Sequence, residues 1–497
     1  MRFHILIFGC QMNYSDSARI KAILTNAGMS YTDSIDDADI VIFDTCSVRQ
    51  KSEDKVFGKL WEIPASKKIW LTGCMIQHNM RNAKIQNEVN DKKVNEQMKL
   101  GNFVWWVKTL EPEIIWFTNQ EIEKVSHSKE QSGNIVYINH AFNPMFVKMQ
   151  TEFPNVELFF RIDDTWFLPR IIEKLGYQVN HDIDVTNEYS GILPHGTNQL
   201  FKENTKTAYI PISTGCSQFC AYCIVPYARG LEKNRPVDEI IKEAEFHLSQ
   251  GIEEIVLLGQ IVNKHPDFVT IMKKILPLPW LKWLRYTSPY PTFYSPELLK
   301  LHETEEKLCP HIHMPLQSWS DPILKKMFRG YTAEQFKSFV DNIRNLKRPI
   351  SITTDIIIGF PDETEEDFEK SLEMIDYAKF DMIYMGIYSP RPWTLGARKY
   401  PDNIPKATKK ERRNRMNDRL LAVSWRNNEA EVNTVKEIII NKVDPDFVTG
   451  YTENMKTVII KKTPENQNSF ETIKLWHFLT VKIIYTESLK LFADLQH

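Results

Sequence analysis

Cys216, Cys220 and Cys223 stand in the segment GCSQFCAYC at C-x3-C-x2-C spacing. A structural zinc site uses four protein ligands. A cubane iron–sulfur cluster normally takes four thiolates. Three close cysteines with no evident fourth leave one iron with an open position, where a cofactor can coordinate. The competing readings are a zinc site completed by a distant ligand and buried cysteines that only pack. Three more cysteines, Cys10, Cys46 and Cys74, each end an apolar run: FHILIFGC, ADIVIFDTC and KKIWLTGC. Cysteines so far apart are as often core residues as ligands. Their repeated place at the end of an apolar run favours convergence on one point. Cys309 stands alone and reads as a core or loop thiol.

The elements that must position these residues follow an α/β rhythm. Strand, cysteine and helix recur three times over the first 78 residues, with a helix stop at Gly28. That is the pattern of a parallel sheet, in which sites form at the carboxyl ends of strands. Residues 79–153 break the rhythm as an irregular insertion, and the pattern resumes at VELFFRIDDTWFLPRIIEKLGY. This gives an amino-terminal domain over 1–180, followed by a linker rich in Gly, Pro, Asn and Thr. From Thr207 six strand-like segments (AYIPIS, EEIVLLG, WLRYTS, HIHMPL, ITTDIIIG and MIYMGIYS) alternate with amphipathic helices, which predicts a partial (β/α) barrel over 207–432 with function at its carboxyl rim. The basic run KKERRNRMNDR, 409–419, could face phosphates or form a solvated helix face. From about Val435 short β-type runs dominate, so 433–497 is expected to be a small β-barrel.

Composition narrows the class. Hydrophobic residues at 42% suffice for sizeable cores, and a net charge of −2 means that any nucleic-acid surface must be local. Seven cysteines, an odd number in a long chain without a secretory signal, argue for metal chemistry over a disulfide framework. No run of 18 apolar residues occurs, so a cytoplasmic protein without a membrane span is expected.

Several segments carry a specific resemblance: FGCQMNYSDS, DTCSVRQKSEDK, LTGCM, GCSQFCAYCIVPYARG, LLGQIVN, RYTSPYP, HIHMPLQSWSD, TDIIIGFPDETEEDFE and YSPRPWT. In this order they resemble the radical S-adenosylmethionine methylthiotransferase family, in the branch acting on isopentenylated adenosine of tRNA. The resemblance covers nearly the whole chain outside 79–153. It implies two 4Fe–4S clusters, S-adenosylmethionine, a terminal TRAM domain that helps hold a tRNA substrate, an electron donor such as flavodoxin or ferredoxin, a sulfur source and a monomeric enzyme. Cys216, Cys220 and Cys223 would hold the radical cluster. Cys10, Cys46 and Cys74 would hold an auxiliary cluster carrying the sulfur. Tyr222 would pack near the adenine, and Gln260, His313, Gln317 and Gly359 would face the cofactor or substrate. Asn13 and Arg49 could contact the bound sulfur, and Arg229 and Gly230 could orient substrate. The implied reaction is hydrogen abstraction at C2 of an adenine beside the anticodon, sulfur insertion, and methylation by a second S-adenosylmethionine. The same chemistry on threonylcarbamoyladenosine tRNA or a ribosomal-protein aspartate is the alternative, as is a non-catalytic RNA-binding descendant. Ile261 departs from the Asn expected at its position.

Two further departures concern Trp319 in LQSWSD and Trp393 in SPRPWT, where the family pattern has glycine. Glycine is scarce, 18 of 497 residues, whereas an ordinary share of about 7% gives about 35. The 26 prolines are an ordinary number. Both features fit UGA codons read as glycine by the source and rendered as Trp on translation; two true tryptophans accommodated by repacking is the other reading.

Overall fold

The computed structural model describes residues 1–47, 50–79, 113–114, 135–136, 149, 151–162, 165, 168–180, 205–464 and 466–496. The chain divides into two units: Met1–Phe201 with Ile224–Gly230, and Lys202–Cys223 with Leu231–His497. Arg49, most of the 79–153 insertion and most of the linker lie outside the described residues.

The first unit is built on a parallel sheet of β1 (Arg2–Ile7), β2 (Ser30–Tyr31), β3 (Ile40–Thr45), β4 (Lys68–Gly73) and β5 (Val156–Phe159), in the order β2-β1-β3-β4-β5. β3 is buried on both faces, as a central parallel strand must be. Its side chains alternate between two cores. Ile40 and Ile42 join Phe3, Ile5 and helix α1 (Gln11–Asn26), whereas Val41 and Phe43 join Val56 and Leu60 of α2 (Gln50–Glu62). Helix α1 stops beside Gly28, as the sequence predicts. Helix α3 (Leu168–Lys174) adds Leu168 and Ile172 to the first core.

The second unit contains all six expected barrel strands: β6 (Thr207–Pro211), β7 (Glu254–Leu258), β8 (Trp283–Tyr286), β9 (His311–His313), β10 (Ser351–Ile358) and β11 (Met382–Ile387). They pair in parallel as β6-β7-β8 and β9-β10-β11. A parallel bridge between Leu284 and Leu308 joins the two halves. Strand order therefore follows chain order, as an open (β/α) barrel requires. Between Cys223 and the next barrel helix, the short helix α4 (Val225–Arg229) belongs to the first unit.

After the long helix α5 (Lys406–Glu429), a closed barrel forms from β12 (Val435–Val443), β13 (Phe447–Thr452), β14 (Thr457–Lys461), β15 (Phe478–Glu487) and β16 (Lys490–Leu495). Alternate residues Ile438, Ile440, Val481 and Ile483 fill its core. Ile439 points the other way, onto Trp283 and Cys309 of the larger barrel. Buried polar links reinforce that contact. Tyr451 donates to Glu254 Oε2 at 2.6 Å, and Arg285 donates to Glu254 Oε1 at 2.6 Å and to the Thr452 carbonyl at 2.9 Å. Among the described residues no helix is long and apolar enough to cross a membrane.

Candidate cluster and cofactor sites

Cys10, Cys46 and Cys74 follow β1, β3 and β4, which are adjacent parallel strands, so all three lie at one edge of the first sheet. Cys10 occupies the N-cap of α1 and is exposed; Cys46 and Cys74 are buried. Gly73 has φ of +92°, and a Cβ there would lie 2.3 Å from both the Thr45 nitrogen and oxygen. Only glycine lets β4 close on Thr45 one residue before Cys74.

A buried polar network lies beneath these thiols. Asn13 donates to Asp44 Oδ1 at 2.6 Å and to the Thr45 carbonyl at 3.2 Å, and its own Oδ1 is 3.5 Å from Cys10 Sγ. Ser17 donates to Asp44 Oδ2 at 2.9 Å. Burial, then the neighbouring Asp16, pushes Asp44 up to about 7 against these hydrogen bonds. Asp16 takes Arg19 on one oxygen at 2.5 Å and Arg229 on the other at 2.6 Å. Arg229 Nε also reaches Cys74 Sγ at 3.3 Å. Burial pushes the Cys74 thiol up to about 12; Arg229 opposes this, whereas Cys46 and Cys10 add to it. The three sulfurs thus share one electrostatic environment.

In the second unit Cys216 and Cys220 are buried and Cys223 is half-buried. Burial raises the Cys216 thiol. A side chain that sequence reasoning missed, Arg329, organises this loop. Its Nη1 lies 3.5 Å from Cys220 Sγ and 3.3 Å from the Tyr222 hydroxyl, and its Nη2 donates to the Pro315 carbonyl at 2.7 Å. The guanidinium rests 4.5 Å from the Tyr290 ring centre.

The four rim residues behave differently. Gln260 lies two residues beyond β7, and its buried Oε1 has no hydrogen-bond partner among the described residues. An unpartnered buried acceptor suits a ligand donor. His313, at the end of β9, is tied to Thr353 Oγ1 at 2.9 Å and Asp355 Oδ2 at 3.0 Å. Gln317 is buried with φ of +76°, its nitrogen donating to the Asp355 carbonyl at 2.8 Å. Gly359 has φ of +73°, but the group crossing it is Lys409: a Cβ at Gly359 would meet Lys409 Cγ at 2.5 Å.

The basic run is mostly spent within the fold. Lys409 is buried against Asp402 Oδ1 at 2.5 Å. Arg412 pairs with Glu363 at 2.8 Å, Arg415 with Glu365 and Glu369, and Arg419 with Asp376. Lys410 and Arg413 are the members without such a pair among the described contacts. The run for which the sequence allowed either a phosphate face or a solvated helix face is therefore chiefly a structural clamp between α5 and the barrel. Cys309 is a core thiol, as expected, and burial pushes it up to about 12.

The donor chemistry fits cubane clusters: two separate sets of three thiols. Among the described residues no three Cys, His, Asp or Glu side chains converge closely enough to hold a single metal ion. A cubane binds each thiolate through a different iron, so its ligands stand farther apart than those of one ion. Asn13 was legible from its motif; Asp16 and Asp44 stand in motif segments only as polar residues and Arg329 stands outside them, because their burial is a tertiary property.

Comparison with known proteins gives two family matches. Residues 210–375 match the Radical SAM superfamily, and residues 2–94 match Uncharacterized protein family UPF0004. The chain is 32% identical over 489 residues to the tRNA-2-methylthio-N(6)-dimethylallyladenosine synthase of Dictyoglomus thermophilum, covering 95% of this chain and 96% of that protein. It is 31% identical over 473 residues to the synthase of the same name from Moorella thermoacetica, covering 92% and 91%. Among solved structures it is similar to the radical S-adenosylmethionine methyltransferase TsrM from Kitasatospora setae, with a TM-score of 0.44 at 12% identity over 80% of this chain and 77% of that one.

Proposed function

The chain belongs to the family of tRNA-2-methylthio-N(6)-dimethylallyladenosine synthases, radical S-adenosylmethionine transferases that modify tRNA, and from that premise we propose that it methylthiolates C2 of isopentenylated adenosine beside the anticodon. Two molecules of S-adenosylmethionine are used, and the transferred sulfur is held at the amino-terminal unit. When bound, the radical cluster and S-adenosylmethionine together supply a carbon-centred radical for hydrogen abstraction.

The residues of this chain do the rest. Cys216, Cys220 and Cys223 would hold the radical cluster, three protein thiolates beside which the cofactor would bind. Arg329 fixes Cys220 and Tyr222 in one arrangement, with Tyr222 placed for the adenine. The buried Gln260 Oε1 offers an acceptor to the cofactor or the target base. His313 and Gln317 shape the rim through the backbone and side chains of β10 and need not touch the ligand. Cys10, Cys46 and Cys74 hold the auxiliary cluster, with Asn13 beside Cys10 on its polar side. The closed barrel of 433–497 acts as the TRAM domain and presents tRNA. The target base must leave its stack to reach the rim. An electron donor such as flavodoxin or ferredoxin, a sulfur source, a cytoplasmic setting and a monomeric state complete the proposal.

The observation that carries this reading is the placement of three cysteines at the carboxyl ends of three neighbouring strands in one unit, while the C-x3-C-x2-C loop opens the barrel of the other. Its test is the nucleoside composition of tRNA from cells that lack their own methylthiotransferase and express this chain. The proposal expects 2-methylthio-N(6)-isopentenyladenosine to appear.

A further inference from the structure

We propose that Arg229 is a positioning residue for the auxiliary centre, held by Asp16 so that its Nε donates to Cys74 Sγ. The inference rests on the ligand reading of Cys74 given above. Arg229 and Asp16 are almost fully buried and lie 2.6 Å apart. A buried charge persists only when it is paired. Asp16 also binds Arg19, so two guanidinium groups share one carboxylate beside Cys74. Asp16 is thereby oriented by Arg19 and in turn aims Arg229 at the sulfur, 3.3 Å away. Hydrogen bonds to ligand sulfur and nearby net charge set a cluster's reduction potential. Both the Arg229 hydrogen bond and its charge favour the reduced, more negative cluster.

The test uses the full chain carrying Cys216→Ala, Cys220→Ala and Cys223→Ala, reconstituted anaerobically so that only the auxiliary cluster is read by a redox titration followed by electron paramagnetic resonance. Arg229→Met should shift the potential downward, and Arg229→Lys should restore part of the shift. An unmoved or raised potential in Arg229→Met with the cluster retained overturns the inference. Cys74→Ala in the same background separates the two ideas: a fully retained cluster there defeats the ligand reading itself.

From the backbone and the composition we infer, independently, that glycine is the natural residue at positions 280, 393 and 476, where the sequence has Trp. The chain has twelve tryptophans, eight of them among the described residues. Three of those eight have φ in the left-handed region: +64° at Trp280, +71° at Trp393 and +66° at Trp476. For a bulky side chain this is an outlier, whereas glycine adopts it freely. Trp393 and Trp476 are each the third residue of a turn closed from the fourth nitrogen to the first carbonyl, Thr394 to Arg391 at 3.2 Å and His477 to Lys474 at 3.4 Å. A positive φ at that position, after Pro392 in the first case, is the glycine place of a β-turn. Trp280 likewise follows Pro279 and is 66% exposed, so packing does not compensate it. Trp319 differs: its φ is not positive and its ring meets Phe336 edge-on at 6.0 Å, so geometry gives glycine no support there.

Together with the scarcity of glycine, this pattern points to UGA codons read as glycine. The Trp393 turn leads into Gly396, whose nitrogen donates to the Ala221 carbonyl of the cysteine loop at 2.6 Å, so the identity of residue 393 bears on the cofactor site. Sequencing the gene and measuring peptide masses from the native protein test the inference. UGA at all three positions with glycine masses is expected, and UGG at any of them overturns it. In protein expressed with Trp at these sites, the triple replacement Trp280→Gly, Trp393→Gly and Trp476→Gly should raise Tm; a lower Tm would contradict the inference.

Discussion

Arg329 stands with one nitrogen 3.5 Å from Cys220 Sγ and 3.3 Å from the Tyr222 hydroxyl. A single rigid fork thus ties a proposed cluster ligand to the ring proposed for adenine. Arg329→Ala should retain the radical cluster but slow S-adenosylmethionine cleavage by about tenfold to a hundredfold, the size expected for losing one or two hydrogen bonds to charged groups. Arg329→Lys keeps the charge without the planar fork and should recover only part of the rate. Cleavage is read as 5′-deoxyadenosine formed per iron cluster; an unchanged rate in Arg329→Ala removes the residue from the site.

Iron counting addresses the two cysteine sets. Reconstituted protein should hold about eight irons, in two cubanes. Replacing Cys216, Cys220 and Cys223 with Ala should leave about four and abolish cleavage. Replacing Cys10, Cys46 and Cys74 should also leave about four, with uncoupled cleavage preserved. Retention of all iron in the amino-terminal triple variant would remove the auxiliary site.

RNA binding by the closed barrel needs a gentler test than truncation. Removing 433–497 would strip Tyr451 from Glu254, the Thr452 carbonyl from Arg285, and Ile439 from Trp283 and Cys309. Such a protein is expected to lose stability as well as tRNA, so cleavage would not be spared. The exposed Lys461, Lys482 and Lys490 can be changed to Glu without touching that contact. The triple variant should bind tRNA on the order of tenfold more weakly near 0.1 M salt, with a shallower salt dependence and normal cofactor cleavage. Unchanged affinity would move the RNA surface elsewhere.

His302 gives a dependence on pH. It is fully buried beside the Tyr286 hydroxyl, 2.5 Å away, and burial, with Arg348 nearby, lowers it to about 3. A group depressed in the fold contributes stability that is complete above its unfolded value near 6.5 and lost as pH falls toward 3. Between pH 6.5 and 5 the loss from this residue should reach roughly 2 kcal/mol. Urea unfolding of His302→Gln should therefore weaken less than wild type over that range; parallel slopes in the two proteins would refute the assignment.

Much of this was legible in the sequence because it rests on local pattern. β3 shows as a run of apolar residues because both its faces are buried, and all six barrel strands show for similar reasons. The cysteines mark strand ends directly. What was not legible depends on partners distant in sequence. Gly359 carries a glycine signal, but only the fold reveals that Lys409 lies over it. The run 409–419 looks like a nucleic-acid patch until Glu363, Glu365, Glu369 and Asp376 are found opposite it. Asp16 and Arg329 look like surface charges in sequence, and burial alone gives them their roles. The tryptophans at 280 and 476 gave no signal at all, because a positive φ is a property of the backbone and not of the residue type.

The central claim is the transfer of a methylthio group to isopentenylated adenosine of tRNA. It is tested most directly by mass spectrometry of nucleosides after anaerobic incubation of reconstituted enzyme, reductant, S-adenosylmethionine and isopentenylated tRNA. The account predicts loss of N(6)-isopentenyladenosine and matching gain of its 2-methylthio derivative, dependent on both cysteine sets. Cofactor cleavage with isopentenyladenosine left untouched, while threonylcarbamoyladenosine tRNA gains the methylthio group, would contradict it.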